Sequence, residues 1–261
     1  MTSILNVIGS SLNIHMKQTF ARATFRFIII FQPILYSFLL YMLLMNSDNS
    51  NKGEYIVISA GLMNLWSSII FSSAGDIERE RFMGTLELIY ITPSDFRIIF
   101  LGKVLGNIIL GLFSMLLSFA TVFFVFGLNI EIKNPFAFFF IFILAMISFA
   151  GVSLMMALIF TLSRNSRVLM NCLEYPIFIL CGIVFPISVL PYGLEYISYL
   201  LSPTWAVMLL RESMAGIENS LVFYQHAAIL IVITICYFLI VILFFKKTDK
   251  NTRIKGTLGA H

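Results

Sequence analysis

Residues 136–146 read FAFFFIFILAM. Eleven apolar side chains in succession leave no alternation of polar and apolar positions, which a lipid-facing strand of a membrane barrel would require. The run extends over 135–162, beyond the roughly 20 apolar residues that a helix needs to cross a bilayer. Working outward from it, five more stretches have the same character: 27–45, 55–74, 104–127, 168–190 and 221–245. The expectation is an all-α polytopic membrane protein with six transmembrane helices, forming a single transmembrane domain over 1–261.

Composition agrees. Of 261 residues, 59% are hydrophobic, 11% are charged and 27 are Phe. A soluble domain is roughly 45–50% apolar and about 25% charged, so these charges could not cover a soluble surface. Disordered chains are poor in apolar and aromatic residues, which excludes that class too.

The formal charge of +4 does not point to nucleic acid, because the basic residues lie on one side of the expected spans. With the N-terminus cytoplasmic, 14 of the 17 Lys and Arg fall in cytoplasmic segments, and only Lys52, Lys133 and Arg211 lie outside. That asymmetry follows the positive-inside rule and places both termini in the cytoplasm. The first apolar run is preceded by basic residues but is too long for a signal peptide and lacks a small-residue cleavage site, so it reads as a retained span. Cys172, Cys181 and Cys236 all fall within expected spans and have no metal-ligand spacing.

Residues 3–24 repeat Ile4, Leu5, Ile8, Leu12 and Met16 at helical spacing, with Ser10, Asn13 and Lys17 on the other side. This reads as an amphipathic helix in the cytoplasmic interface, with Lys17, Arg22 and Arg26 close to lipid phosphates. Gln32 and Pro33 in the first span predict a kink or a facing polar partner. Gly102, Gly106 and Gly111, and likewise Ala145, Ser148 and Gly151, predict close helix approach. In 191–220, Pro191 and Pro203 stand among Tyr192, Tyr196, Tyr199 and Trp205. Two short helices broken at Ser202-Pro203 would dip into the outer leaflet and return as a re-entrant gate, buried in protein or lining a cavity.

Eight of the chain's 30 charges lie at 76–97, between the second and third spans, in GDIERERFMGTLELIYITPSDFRIIFLGK at 75–103. Phe82, Leu86, Ile89 and Tyr90 keep an apolar helical stripe through it. Thr92-Pro93-Ser94-Asp95 carries the signals of a helix start, and Gly84 permits a bend between two short helices. A two-signed elbow with an apolar stripe suits docking into a groove of another protein.

This connection resembles the coupling region of the type-2 family of ABC-transporter membrane subunits, in which a charged cluster is followed by G-T-L-E, then L-x-x-T-P, then a G-K pair. The resemblance rests on Glu78, Arg79, Glu80, Gly84, Thr85, Leu86, Glu87, Thr92, Pro93, Gly102 and Lys103. It extends to the six-span layout and to LSPTWAVMLLRESMAG at 201–216. The resemblance implies a permease half of an ATP-driven exporter in the cytoplasmic membrane of a prokaryote. Glu78, Arg79, Glu80, Arg81, Gly84, Thr85, Leu86 and Glu87 would contact a separate ABC ATPase subunit, present in two copies. Thr92 and Pro93 would set the angle at which the third span begins. A second permease subunit, identical or related, would complete the pathway, and membrane lipid would surround it. ATP and Mg are expected in the partner ATPase, and no cofactor in this chain. The cargo would be hydrophobic or amphipathic; a lipid-linked polysaccharide is the alternative.

Absent motifs fit that division of labour. No G-x-x-x-x-G-K-(S/T) loop occurs: Gly102-Lys103 is followed by Val104, and Arg97 stands where the first Gly belongs. No arrangement of catalytic groups or metal ligands is visible, and His15 and His226 read as interfacial or lipid-boundary residues. Glu174 is the one acidic residue well inside a span. It would pair with Arg167 or Arg164, or line the translocation path. Asn64, Asn107 and Asn171 read as interhelical hydrogen-bonding residues. A secondary carrier or an intramembrane enzyme is the alternative of another class, disfavoured because repeats and convergent polar groups are missing.

Overall fold

A computed structural model describes residues 4–45, 51–84, 96–162 and 166–255. They form α1 (Ile4–Ala21), α2 (Ala23–Leu44), α3 (Lys52–Phe82), α4 (Phe96–Ala120, ending in a π-helical turn at Thr121–Val125), α5 (Pro135–Leu162), α6 (Ser166–Leu180), a 3₁₀ turn at Ile187–Val189, α7 (Leu194–Tyr199), α8 (Ser202–Ala215) and α9 (Ser220–Lys255). Among the described residues there is no strand. Among the described residues, four segments are long and apolar enough to cross a membrane: Phe25–Leu44, Ile98–Val125, Pro135–Met156 and Ser220–Phe244.

The bundle is built around α3. Its residues 56–67 are buried without interruption, and it packs against α2, α4, α5, α6 and α8. A helix apolar on every side belongs in such a position. The peripheral helices each offer one buried stripe instead. On α2 it is Ile29, Pro33, Ser37 and Leu40; Phe27, Phe31, Leu35 and Leu39 on the other side are exposed. On α9 the stripe is Phe223, Ala227, Leu230 and Thr234. Exposed aromatic and aliphatic faces of this extent are suited to lipid.

Helices in lipid associate through close packing and hydrogen bonds rather than through hydrophobic burial, and glycines make the α3–α4 contact close. A Cβ on Gly61 would lie 2.7 Å from Met115 Cγ, and one on Gly111 would lie 3.0 Å from Leu65 Cγ. The ring of Trp66 packs edge-on to Phe149 of α5 at 6.2 Å.

Three sequence expectations change here. The second span does not give way to a separate short helix after residue 74. The helix of α3 runs unbroken to Phe82, and the first residue with left-handed backbone is Gly84 at φ 68°. The fifth span, expected over 168–190, is helical only to Leu180. Gly182 at φ 70° turns the chain away, so Cys181 follows the helix instead of lying within it. The 15 residues of α6 rise about 22 Å, short of a full hydrocarbon core. The later break falls at Leu200–Leu201, and Ser202-Pro203 forms the first turn of α8, where Pro is tolerated because its missing N–H would be unpaired anyway.

Candidate coupling and gating sites

Three elements meet at the end of the bundle that carries α1. Lys103, on the second turn of α4, donates to Glu80 Oε1 near the end of α3 at 2.9 Å, with both side chains largely buried. The two helices that flank 85–95 in sequence are thus joined by an ion pair. Gly84 sits exposed just beyond α3. The side chains of Glu78, Arg79 and Arg81, and Thr85, Leu86, Glu87, Thr92 and Pro93, lie outside the described residues.

The N-terminal helix seats on the same part of α4, by a face that borders and overlaps the apolar one its sequence pattern marks. Ser11, His15 and Thr19 are its buried residues; Ile8, Leu12 and Met16 of the apolar repeat are half-buried beside them, and Ile4 and Leu5 are exposed. Gly102 and Gly106 make room for it. A Cβ at Gly102 would stand 2.7 Å from the Ile8 carbonyl oxygen, and one at Gly106 would stand 2.8 Å from the His15 ring. Ser11 Oγ donates to the Ile99 carbonyl, and His15 Nε2 lies 2.8 Å from Asn107 Oδ1. His15, 2% exposed, is therefore an interhelical residue and not a lipid-boundary one. The Gly-xxx-Gly spacing takes part in this contact, in which a small, polar face of α1 presses on a glycine face of α4.

Midway along the bundle, Ser67 of α3 donates to Glu174 Oε1 of α6 at 2.6 Å. Glu174 is 3% exposed. Ser67 also lies beside the Tyr36 hydroxyl of α2, which accepts from Gln32 Nε2 at 2.8 Å. Polar groups from three helices are thereby joined where hydrocarbon would leave them unpaired. The partner proposed for Glu174, Arg167, has its side chain outside the described residues, as does Asn171. Asn64 does not bridge helices; its amide donates to the Ala60 carbonyl of its own helix at 2.8 Å.

The aromatic segment forms the third site. The backbone groups freed between α7 and α8 are taken up by nearby side chains. Thr204 Oγ1 donates to the Ser198 carbonyl (2.6 Å) and Trp205 Nε1 to the Tyr199 carbonyl (2.8 Å). Tyr237 of α9 donates to the Leu200 carbonyl at 3.2 Å and accepts from the Ser202 amide at 3.4 Å. Tyr237 lies about 25 Å along α9 from its start. Trp205 is buried between Tyr199 and His226, whose ring centroids are 5.4 and 5.0 Å from its own. The structure thus brings together Tyr199, Pro203 and Trp205, while Pro191 and Tyr196 remain on an exposed face.

Arg211 of α8 was not singled out from the sequence. Its guanidinium donates to the carbonyls of Gly182 and Ile183 and to Ser59 Oγ, at 2.7–2.8 Å. Its position, a single cation in the otherwise apolar WAVMLLR, is the signal that could have marked it, as Glu174 was marked. A groove of about 480 Å³ between α4, α5 and α9 is lined only by apolar side chains such as Leu105, Phe142 and Phe238; it offers no polar group that would select a cargo. Among the described residues no cluster of His, Cys, Asp or Glu could hold a metal.

Comparison with curated proteins finds no match. The family model for the ABC-2 type transporter matches residues 8–215, from the first turns of α1 through the last residue of α8. That match covers the end-to-end ion pair, the α1 seat and the α7–α8 pair alike, so the chain belongs to the ABC-2 type transporter family and is a permease subunit, an integral multi-pass membrane protein.

Proposed function

We propose that this permease is half of an ATP-driven exporter, coupled through the segment between α3 and α4 to a separate ABC ATPase. The observation that carries the reading is the Glu80–Lys103 pair, within the matched region. A push on 85–95 reaches α3 and α4 together, because the helices that flank it in sequence are joined by that pair. Since α3 is the hub of the bundle, movement there is passed to α2, α5, α6 and α8. Two permeases and two ATPases make the working unit, with ATP and Mg held by the ATPases, and the end bearing α1 faces the cytoplasm. Six crossings are then made by α2, α3, α4, α5, α6 and α9, with α1 lying in the interface. The α7–α8 pair re-enters from the outer face, in keeping with how far along α9 Tyr237 meets it. The cargo is hydrophobic or amphipathic, in keeping with the apolar surfaces available.

Because Glu80 is engaged inside the protein, Glu87→Arg is the cleaner docking variant, with Glu80→Arg/Glu87→Arg as the stronger one. Co-expressed with the ATPase, Glu87→Arg is expected to reduce its co-purification and its permease-stimulated hydrolysis while the permease keeps its thermal stability. Undiminished co-purification and transport in both variants would sink the docking role. Transport in proteoliposomes that needs no ATPase would favour a carrier instead.

A further inference from the structure

The carbonyls that follow α6 are held in an unusual way. The helix stops at Leu180, and a chain leaving a helix at membrane depth has carbonyl groups that must find donors within the protein. Three successive ones are served by side chains from two other helices. Arg211 Nη1 donates to the Gly182 carbonyl at 2.8 Å, and Nη2 to the Ile183 carbonyl at 2.7 Å. Tyr55 of α3 donates its hydroxyl to the Val184 carbonyl at 2.9 Å. The same Nη2 reaches Ser59 Oγ of α3 at 2.8 Å, and the guanidinium carbon lies 3.8 Å from the centre of the Tyr55 ring. One side chain of α8 therefore fastens the end of α6 to α3.

The chemistry of this knot favours release as well as closure. Every acceptor that Arg211 uses is neutral; among the described residues none of its hydrogen bonds goes to a carboxylate. Its Nε is buried without an acceptor. A desolvated cation with neutral partners and one unserved N–H gains hydration whenever the knot opens. The backbone is articulated on both sides, by Gly182 at φ 70° and by Gly216 at φ 115° just after α8.

We propose that Arg211 is the latch of the outer gate: its contacts with Tyr55, Ser59 and the 182–184 carbonyls hold α8 and the end of α6 against α3 in the closed conformation, and part when the pathway opens at that face. It is a positioning residue, and the inference rests on the transporter reading for which face is the outer one and for the moment at which the latch opens.

Cys181, fully buried beside the knot, is the reporter. In a Cys172→Ser/Cys236→Ser background, its labelling by a membrane-impermeant maleimide from the outer face is measured for the permease with its ATPase in vesicles. Slow labelling is expected without nucleotide, rising with a non-hydrolysable ATP analogue. Arg211→Met is expected to label at least about tenfold faster and independently of nucleotide, because several charge-assisted hydrogen bonds are lost. Arg211→Lys, which keeps the charge but not the forked donors, should fall between the two. Tyr55→Phe and Ser59→Ala each remove one contact and are expected to give smaller increases; they carry the test if Arg211→Met does not fold. Wild-type labelling rates in all the variants that fold would overturn the latch. Faster labelling in the variants with no nucleotide response in the wild type would keep the latch and count against the ATP-driven cycle instead.

Discussion

Lys103 and Glu80 join the start of α4 to the end of α3 across 2.9 Å, with side chains 10% and 17% exposed. Their separation in the chain is 23 residues, and the segment proposed to dock the ATPase lies between them in sequence. An ion pair this far removed from water is sensitive to the loss of one partner, because the other charge stays largely desolvated. In a double-mutant cycle with Glu80→Gln and Lys103→Met, a coupling of about 1–3 kcal/mol is expected. Thermal unfolding in detergent measures it, and additive losses would mean that the pair contributes little.

The seat of α1 on α4 is testable by volume. At Gly102 an added Cβ would meet a backbone oxygen of α1, which cannot turn aside as a side chain can. Gly102→Val is expected to lift α1 and make Lys17 readily cleaved by trypsin. Gly9→Ala, on a face with nothing within 4 Å, is the control and should leave cleavage unchanged. Equal protection in both variants would remove the close-approach argument.

Across the same interface, His15→Leu or Asn107→Leu removes the bond between the two side chains. A loss of about 1–2 kcal/mol is expected from either. The double variant should lose less than the sum, since the bond they share is lost only once. Detergent-resistance midpoints for the four proteins distinguish these outcomes.

For Glu174 the decisive comparison is between Gln and Leu. Glu174→Gln keeps an acceptor for the Ser67 hydroxyl and is expected to preserve folding and export. Glu174→Leu removes the carboxylate to which Ser67 donates and should lower stability by about 1–3 kcal/mol. Export lost in Glu174→Gln at unchanged stability would instead assign the carboxylate to the translocation path.

Tyr237 holds the break between α7 and α8 from the side of α9. Tyr237→Phe removes the acceptor of the Ser202 amide and the donor to the Leu200 carbonyl. Hydrogen exchange at Ser202 is expected to accelerate about fivefold, the equivalent of one modest hydrogen bond. Unchanged exchange would show that Thr204 and Trp205 suffice.

Much of this architecture is written in local pattern. Continuous apolar runs define the helices of α2, α4, α5 and α9 because each span satisfies its own backbone in lipid. Prolines and aromatics at 191–205 marked a helical pair, although the break lies before Ser202-Pro203. Local pattern misplaced the end of α6 because hydropathy continues through Cys181–Leu190, while the left-handed Gly182 turns the chain. For α1 it did not mark Ser11, His15 and Thr19 as the contact, because the apolar repeat shows which residues avoid water, and lipid and protein both satisfy that requirement.

The sequence by itself determined that this chain is a helical membrane protein, where its scarce charges cluster, and the family motif that those charges carry. Tertiary structure alone decided which polar groups meet: Ser11 with Ile99, His15 with Asn107, Ser67 with Glu174, and Arg211 with Ser59, pairs separated by 88 to 152 residues. The reason lies in the solvent. Inside a membrane apolar surface does not distinguish one neighbour from another, so the partner of each helix face is chosen by glycine-sized gaps and by hydrogen bonds that close only when distant segments are already packed together.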